Sequence, residues 1–240
     1  LPEYAILKLS DLKTELWVAA EPSQAMVLQR FFKTGKGDYG EGDVFLGVKI
    51  PPIRALVKKY NGLTIDDAVK LLQSKIHEER MTALLLLVQK FKKANEVERR
   101  KIYTLYIANT KKINNWDLVD LSAPNIVGEY LFGKSYDELI ARAKSELLWN
   151  KRIAVIATFA FIKKGVFEPT FKIAELLIND KHDLIHKVIG WMLREIGKRD
   201  IEAEEEFLQI HYKQMPRTML RYAIEKFPEE KRQNYLKGRI

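Results

Sequence analysis

The chain has 240 residues, 47% of them hydrophobic, enough to bury a sizeable core in one large domain or two small ones. It carries 41 Lys and Arg against 32 Asp and Glu, and the net charge of +9 leans towards an anionic partner such as nucleic acid. With no cysteine, disulfides, thiolate metal sites, iron–sulfur clusters and a cysteine nucleophile are all excluded.

No run approaches the ~18 apolar residues needed to cross a bilayer. The most apolar stretch, Leu84-Leu85-Leu86-Leu87-Val88, is bounded by Arg80 and by Lys90, Lys92 and Lys93. No membrane association is expected, and a reducing cytoplasm is the simplest setting for a cysteine-free chain.

In chain order, residues 3–33 read as two helices broken at Pro22-Ser23, with Leu9, Leu12, Leu16 and Trp17, then Met26, Val27, Phe31 and Phe32, at helical spacing. The glycine-rich segment 35–42 follows. It lacks the Gly-Lys-Ser/Thr ending and the flanking strand of a phosphate-binding loop, so it reads as a mobile surface loop. After Pro51-Pro52 a short helix carries Ile53, Leu56, Val57 and Tyr60, and Thr64-Ile65-Asp66-Asp67 caps the next. The helix over 77–93 places Met81, Leu84, Leu85, Val88 and Phe91 on one face, with charges at both ends, and another helix covers 95–111.

Asn114-Asn115-Trp116-Asp117-Leu118-Val119-Asp120-Leu121-Ser122 comes next, with either Asn as N-cap and Pro124 as an interruption two turns on. Trp116 and Asp120 stand four apart, so a helix stacks the indole and the carboxylate on one face. An acid among Leu118, Val119 and Leu121 requires a structural partner or a chemical task, because burying a carboxylate alone costs several kcal/mol. Helices then recur over 135–144, 148–164, 168–179, 183–198, 201–213 and 216–227, with no convincing strand. Paired amphipathic helices at intervals of roughly 35 to 45 residues indicate an all-α, HEAT-like helical-repeat solenoid. About six such pairs would form one continuous domain over residues 1–240 rather than separable ones, with an irregular helical bundle as the alternative.

Other candidate chemistry is sparse. His182 and His186 have the spacing of a metal pair, but no Glu lies between them and no third ligand is evident; a solvated or phosphate-facing role fits better, and no metal is expected. The four histidines offer no triad, and no Gly-x-Ser-x-Gly elbow occurs. Lys187, Arg194 and Lys198 share a helix with Trp191, and Arg152 opens another near Trp149; cations beside aromatics suit a nucleic-acid backbone, while a solvated face explains the lysines equally well.

Four segments in order, Phe45-Leu46-Gly47-Val48 with Pro51, Trp116-Asp117-x-Val119-Asp120, Trp149-x-x-Arg152 with Ala154, and Ile189-Gly190-Trp191-x-Leu193-Arg194-Glu195, resemble the AlkD-like DNA alkylation repair glycosylases. The resemblance spans residues 45–226, and the glycine-rich 35–42 insertion departs from it. It implies a HEAT-like enzyme that excises N3- and N7-alkylated purines such as 3-methyladenine and 7-methylguanine from duplex DNA. On that likeness Asp120 matches the catalytic acid, Trp116 and Trp191 the aromatics against the lesion's sugar, and Arg152 a backbone-contacting arginine. Asp120 is then expected to open onto a basic groove with both indoles beside it.

The chemistry is self-consistent. A purine alkylated at N3 or N7 is already cationic and leaves as a neutral base without a general acid, so one carboxylate can suffice where ordinary glycoside hydrolysis needs two. A monomer without cofactor is expected. The competing readings are a non-catalytic helical scaffold for nucleic acid or protein, and a DNA-binding homologue without glycosylase activity.

Overall fold

The computed structural model describes residues 8–240, so the expected beginning of the first helix at residues 3–7 lies outside the described residues. Among the described residues every regular element is helical, and the one β feature is a lone bridge between Val44 and Ile76. No helix among them is long and apolar enough to cross a membrane. Contacts group the chain into two compact units, Leu1–Ser122 and Ala123–Ile240. Each is helix packed on helix, as a helical-repeat fold requires.

The first unit holds α1 (Leu9–Val18), α2 (Pro22–Phe31), α3 (Ile50–Lys59), α4 (Ile65–Leu72), α5 (His77–Lys93) and α6 (Glu96–Ala108), with α7 (Trp116–Ala123) at its end. Prolines sit in the first turns of α2 and α3, where no intrahelical N–H is required. The side chains of Thr64 and Asn95 each accept the N3 amide at the starts of α4 and α6, and the N3 acid reaches back. Helix α5 is the axis of this unit and packs against α3, α4 and α6. The expected apolar residues are buried and both ends are charged, but burial is not confined to one face: every residue from His77 to Val88 is buried, the charged first turn included.

The second unit opens on a π-helical turn, Pro124–Gly128, where Pro124 interrupts the helical hydrogen bonding, then α8 (Glu129–Leu131). It continues through α9 (Asp137–Ala143), α10 (Leu148–Ala157), α11 (Phe159–Ile162), α12 (Glu168–Leu177), α13 (Asp183–Gly197), α14 (Ile201–His211), α15 (Arg217–Ala223) and α16 (Glu229–Lys237). The expected helix over 148–164 divides at Thr158, whose hydroxyl bonds the Val155 carbonyl. Helix α16 escaped the sequence reading because its apolar content is too low to show a period; Pro228 opens it and Gly238, at φ +68°, closes it. Helix α13 is central, packed against α10, α14 and α15. At Gly190 a Cβ would stand 2.4 Å from the Met219 carbonyl and 2.5 Å from the Tyr222 Cβ, so the glycine is what lets α15 approach.

One buried acid sets a pH dependence. Glu204 on α14 is 1% exposed, its Oε1 has no hydrogen-bond partner, and its carboxyl packs onto Gly197. Burial, reinforced by the neighbouring Glu205 charge and opposed by Arg194, pushes its pKa up to about 8. The folded state therefore holds a proton that the unfolded chain releases above the ordinary value of 4.5, and stability falls as pH rises from there to about 8. At pH 7 this amounts to about 3 kcal/mol. Glu204→Gln is expected to raise the thermal midpoint at pH 8 and leave it nearly unchanged at pH 4; equal shifts at both would refute the linkage.

Candidate functional site

Helix α7 carries the pair singled out in the sequence. Asn115 precedes it, its carbonyl accepting the Val119 amide and its side-chain Oδ1 accepting the Trp116 amide at 2.9 Å, which starts the helix at Trp116. Trp116 and Asp120 are both half-buried, one turn apart. Asp120 is thus not sealed in the core, whereas Leu118 and Val119 between them are. The indole is fixed by stacking on Phe32 (5.0 Å between centroids, 26°) and by the edge of Phe31 (5.9 Å, 73°). A cavity of about 460 Å³ opens beside it, lined by Phe31, Phe32, Phe45, Trp116, Asp117 and other residues of this unit. Phe31, 61% exposed, stands at its edge.

Behind the pair lies a buried polar cluster that the sequence reading passed over. His77 is 2% exposed; its Nδ1 lies 2.9 Å from Asp43 Oδ2 and its Nε2 2.8 Å from Asp117 Oδ2. Burial drives the imidazole pKa down, but the hydrogen bonds to Asp117 and Asp43 override it and raise it to about 9. Asp43 also receives Arg80, and those two cations hold its carboxyl below the ordinary value against the opposing effect of burial. Next to His77, Glu78 turns its carboxylate to the backbone and accepts the amides of Leu46 (3.0 Å), Gly47 (2.8 Å) and Val48 (3.2 Å). This explains the Phe45-Leu46-Gly47-Val48 segment. Gly47 has φ +87°, and a Cβ there would meet the Glu21 carbonyl at 2.1 Å. The signal available in the sequence was four successive ionisable residues, His77 to Arg80, abutting the run Met81 to Val88, which is apolar but for Thr82.

The second unit holds the remaining candidates. Trp191 is half-buried on α13, its Nε1 donating to Glu195 Oε1 at 3.3 Å, with Phe159 tilted against it at 6.5 Å. Arg152 is 5% exposed, and its guanidinium donates to the Leu184 carbonyl at 2.7 Å, tying α10 to the start of α13. Lys187 pairs with Asp183 at 2.7 Å, Arg194 with Glu225, and Lys198 with Glu195 at 2.5 Å. Lys198 and Arg199 hold the Glu195 carboxyl below its ordinary value although burial opposes them. The two histidines are half-buried at the start of α13: His182 Nδ1 accepts the Leu184 amide, and His186 Nε2 donates to the Asp180 carbonyl. Among the described residues no group of three His, Asp or Glu is placed to hold a metal.

Comparison with known proteins points one way. The chain is similar in fold to a protein from Enterococcus faecalis described as a predicted DNA alkylation repair enzyme, with a TM-score of 0.67 and 18% identity over 88% of this chain and 97% of that one. No curated protein matches the sequence. The family model for DNA alkylation repair enzymes matches residues 12–227, and with nearly its whole length inside that match the chain belongs to the DNA alkylation repair enzyme family.

Proposed function

We propose that the protein is a cofactor-free, monomeric DNA glycosylase that hydrolyses the N-glycosidic bond of cationic N3- and N7-alkylated purines, such as 3-methyladenine and 7-methylguanine, in duplex DNA. The observation that carries the reading is α7: an acid left half-buried one turn beyond an indole that is itself held by stacking. Asp120 stabilises positive charge developing on the deoxyribose as the base departs and orients the water that takes its place. Trp116 adds a cation–π face, worth up to about 2 kcal/mol when desolvated, and Trp191 is assigned the same role. Lys187, Arg194 and Lys198 are assigned to the DNA backbone, and so is Arg152, which is 5% exposed and must first release the Leu184 carbonyl to reach a phosphate.

One observation favours the scaffold alternative: Lys187, Arg194 and Lys198 each have a carboxylate partner within the chain, so each must exchange an ion pair for a phosphate. The exposed Lys187–Asp183 pair contributes at most about 1 kcal/mol and a phosphate contact can displace it, whereas Arg194 and Glu195 are more covered and their pairs are harder to exchange. Two measurements on the wild-type protein test the reading. Free 7-methylguanine and 3-methyladenine should appear from methylated duplex DNA faster than by spontaneous depurination, and duplex affinity should fall as salt rises. Salt-dependent binding without base release would leave a DNA-binding homologue, and salt-insensitive binding a protein scaffold.

A further inference from the structure

We propose that His77, clamped between Asp43 and Asp117, is a positioning residue that fixes the first turn of α7, and with it Trp116 and Asp120, for base release. The inference rests on the glycosylase reading for its catalytic consequence and on geometry for the clamp itself. Both ring nitrogens of His77 face carboxylate oxygens, at 2.9 and 2.8 Å. Ionised carboxylates only accept, so both nitrogens must donate and the ring is an imidazolium. The groups facing it from the neighbouring elements form a closed charge set. Asp43 comes from the end of the glycine-rich segment, Asp117 from α7, and Arg80 from the next turn position of α5 itself, bonded to Asp43. Two cations offset two anions, which is how four ionisable side chains can be held together in a largely buried site.

The clamp reaches the reactive pair by two routes. Asp117 follows Trp116 directly, and its Oδ1 accepts the Leu118 amide at 2.7 Å, so the imidazolium holds the N-terminal turn of α7. Arg80 also donates to Asn114 Oδ1 at 3.1 Å, just before the helix. The second route is aromatic. Phe32 lies against both the His77 ring (5.3 Å) and the Trp116 indole (5.0 Å), and Phe45 covers His77 at 4.3 Å. The expectation of a mobile loop at 35–42 is refined accordingly, because that segment delivers Asp43 into the clamp: the Asp43 amide bonds the Gly40 carbonyl, and the Val44 carbonyl receives the His77 amide. The segment that departs from the family resemblance thus leads directly into Asp43, one arm of the clamp.

Loss of the proton from His77 would leave a lone pair facing a carboxylate and loosen the turn. Displacements of about 1 Å at reacting groups can cost 10²-fold in rate. The experiment is single-turnover release of 7-methylguanine from duplex DNA between pH 6 and 9.5, for wild type and Asp43→Asn, with duplex affinity and thermal melting measured in parallel. The wild-type rate should decline on the alkaline side near pH 9, the raised pKa of His77. In Asp43→Asn the decline should move down by about one pH unit, so that the rate at pH 8 falls about twofold and the rate at pH 9 about fivefold, with affinity unchanged across the same range. A folded variant with an unmoved alkaline limb overturns the proposal. If the variant does not fold, aromatic carbon NMR of the wild type decides: Trp116 ring signals should shift with the His77 titration, and Trp116 signals indifferent to it refute the clamp. A wild type that releases no base defeats the glycosylase reading instead, and the same NMR titration then judges the clamp separately.

Discussion

Asp120→Asn is expected to slow release of 7-methylguanine from duplex DNA by about 10²–10³-fold, the loss that follows removal of one preorganised electrostatic contact to a transition state. Asparagine keeps the shape of the side chain, removes its charge and replaces one accepting oxygen with a donating NH2. A departing alkylpurine takes its electrons away as a neutral base and leaves positive charge on the sugar, so the anion is the property at stake. Duplex affinity should hold or tighten slightly, because a negative charge facing a polyanion disappears. Single-turnover kinetics, corrected for spontaneous depurination, separate the two quantities. A variant that retains more than about a tenth of the wild-type rate would remove Asp120 from the catalytic role.

Glu78→Ala is expected to be among the most destabilising single substitutions in the first unit, by about 4 kcal/mol. The carboxylate is 2% exposed and accepts three backbone amides, those of Leu46, Gly47 and Val48, which themselves lie in buried residues. Leaving a buried donor unsatisfied costs about 1–3 kcal/mol, and truncation adds the missing packing. Glu78→Gln should cost less, about 2 kcal/mol, because one carboxamide oxygen can still accept two of the three bonds. Urea unfolding of both variants tests the order. Equal losses for Ala and Gln would mean that the amides find other partners.

The two substitutions probe different layers of the same arrangement. Glu78 holds the segment before α3 to the start of α5, and His77, its neighbour in sequence, holds the start of α5 to α7. Adjacent residues at the start of one helix therefore organise both the chain entering the unit and the helix that carries Trp116 and Asp120. This arrangement concentrates charge where the fold is driest, which is why its failure should be costly in stability and in rate.

How much of this was legible beforehand follows from the kind of physics involved. Helical spacing is local, so α5, α13 and α14 could be read from apolar periodicity, the Thr64 cap from its four-residue pattern, and the interruption at Pro124 from the missing N–H. Helix α16 could not, because a helix that contributes little beyond Tyr235 to the core writes almost no period into its sequence. Trp116 and Asp120 were visible for the same local reason as the helices: four residues on a helix is one turn, and an acid inside an apolar run is conspicuous. Lys187, Arg194 and Lys198 were visible as a cationic set, but their carboxylate partners were not, since Glu225 lies on another element.

By itself the sequence determined the helical class, the lack of thiol chemistry and the coincidence of an indole and an acid on one turn, because each depends on residue identity and short-range spacing. Only the tertiary structure decided that the charged start of α5 is buried, that Glu78 serves backbone amides, and that Asp43 and Asp117, 74 residues apart, meet across one imidazole. An isolated acid, base or histidine in a sequence is by default a solvated one. Whether it is buried and ionised depends on partners brought from distant elements, and that complementarity exists only once the chain has packed.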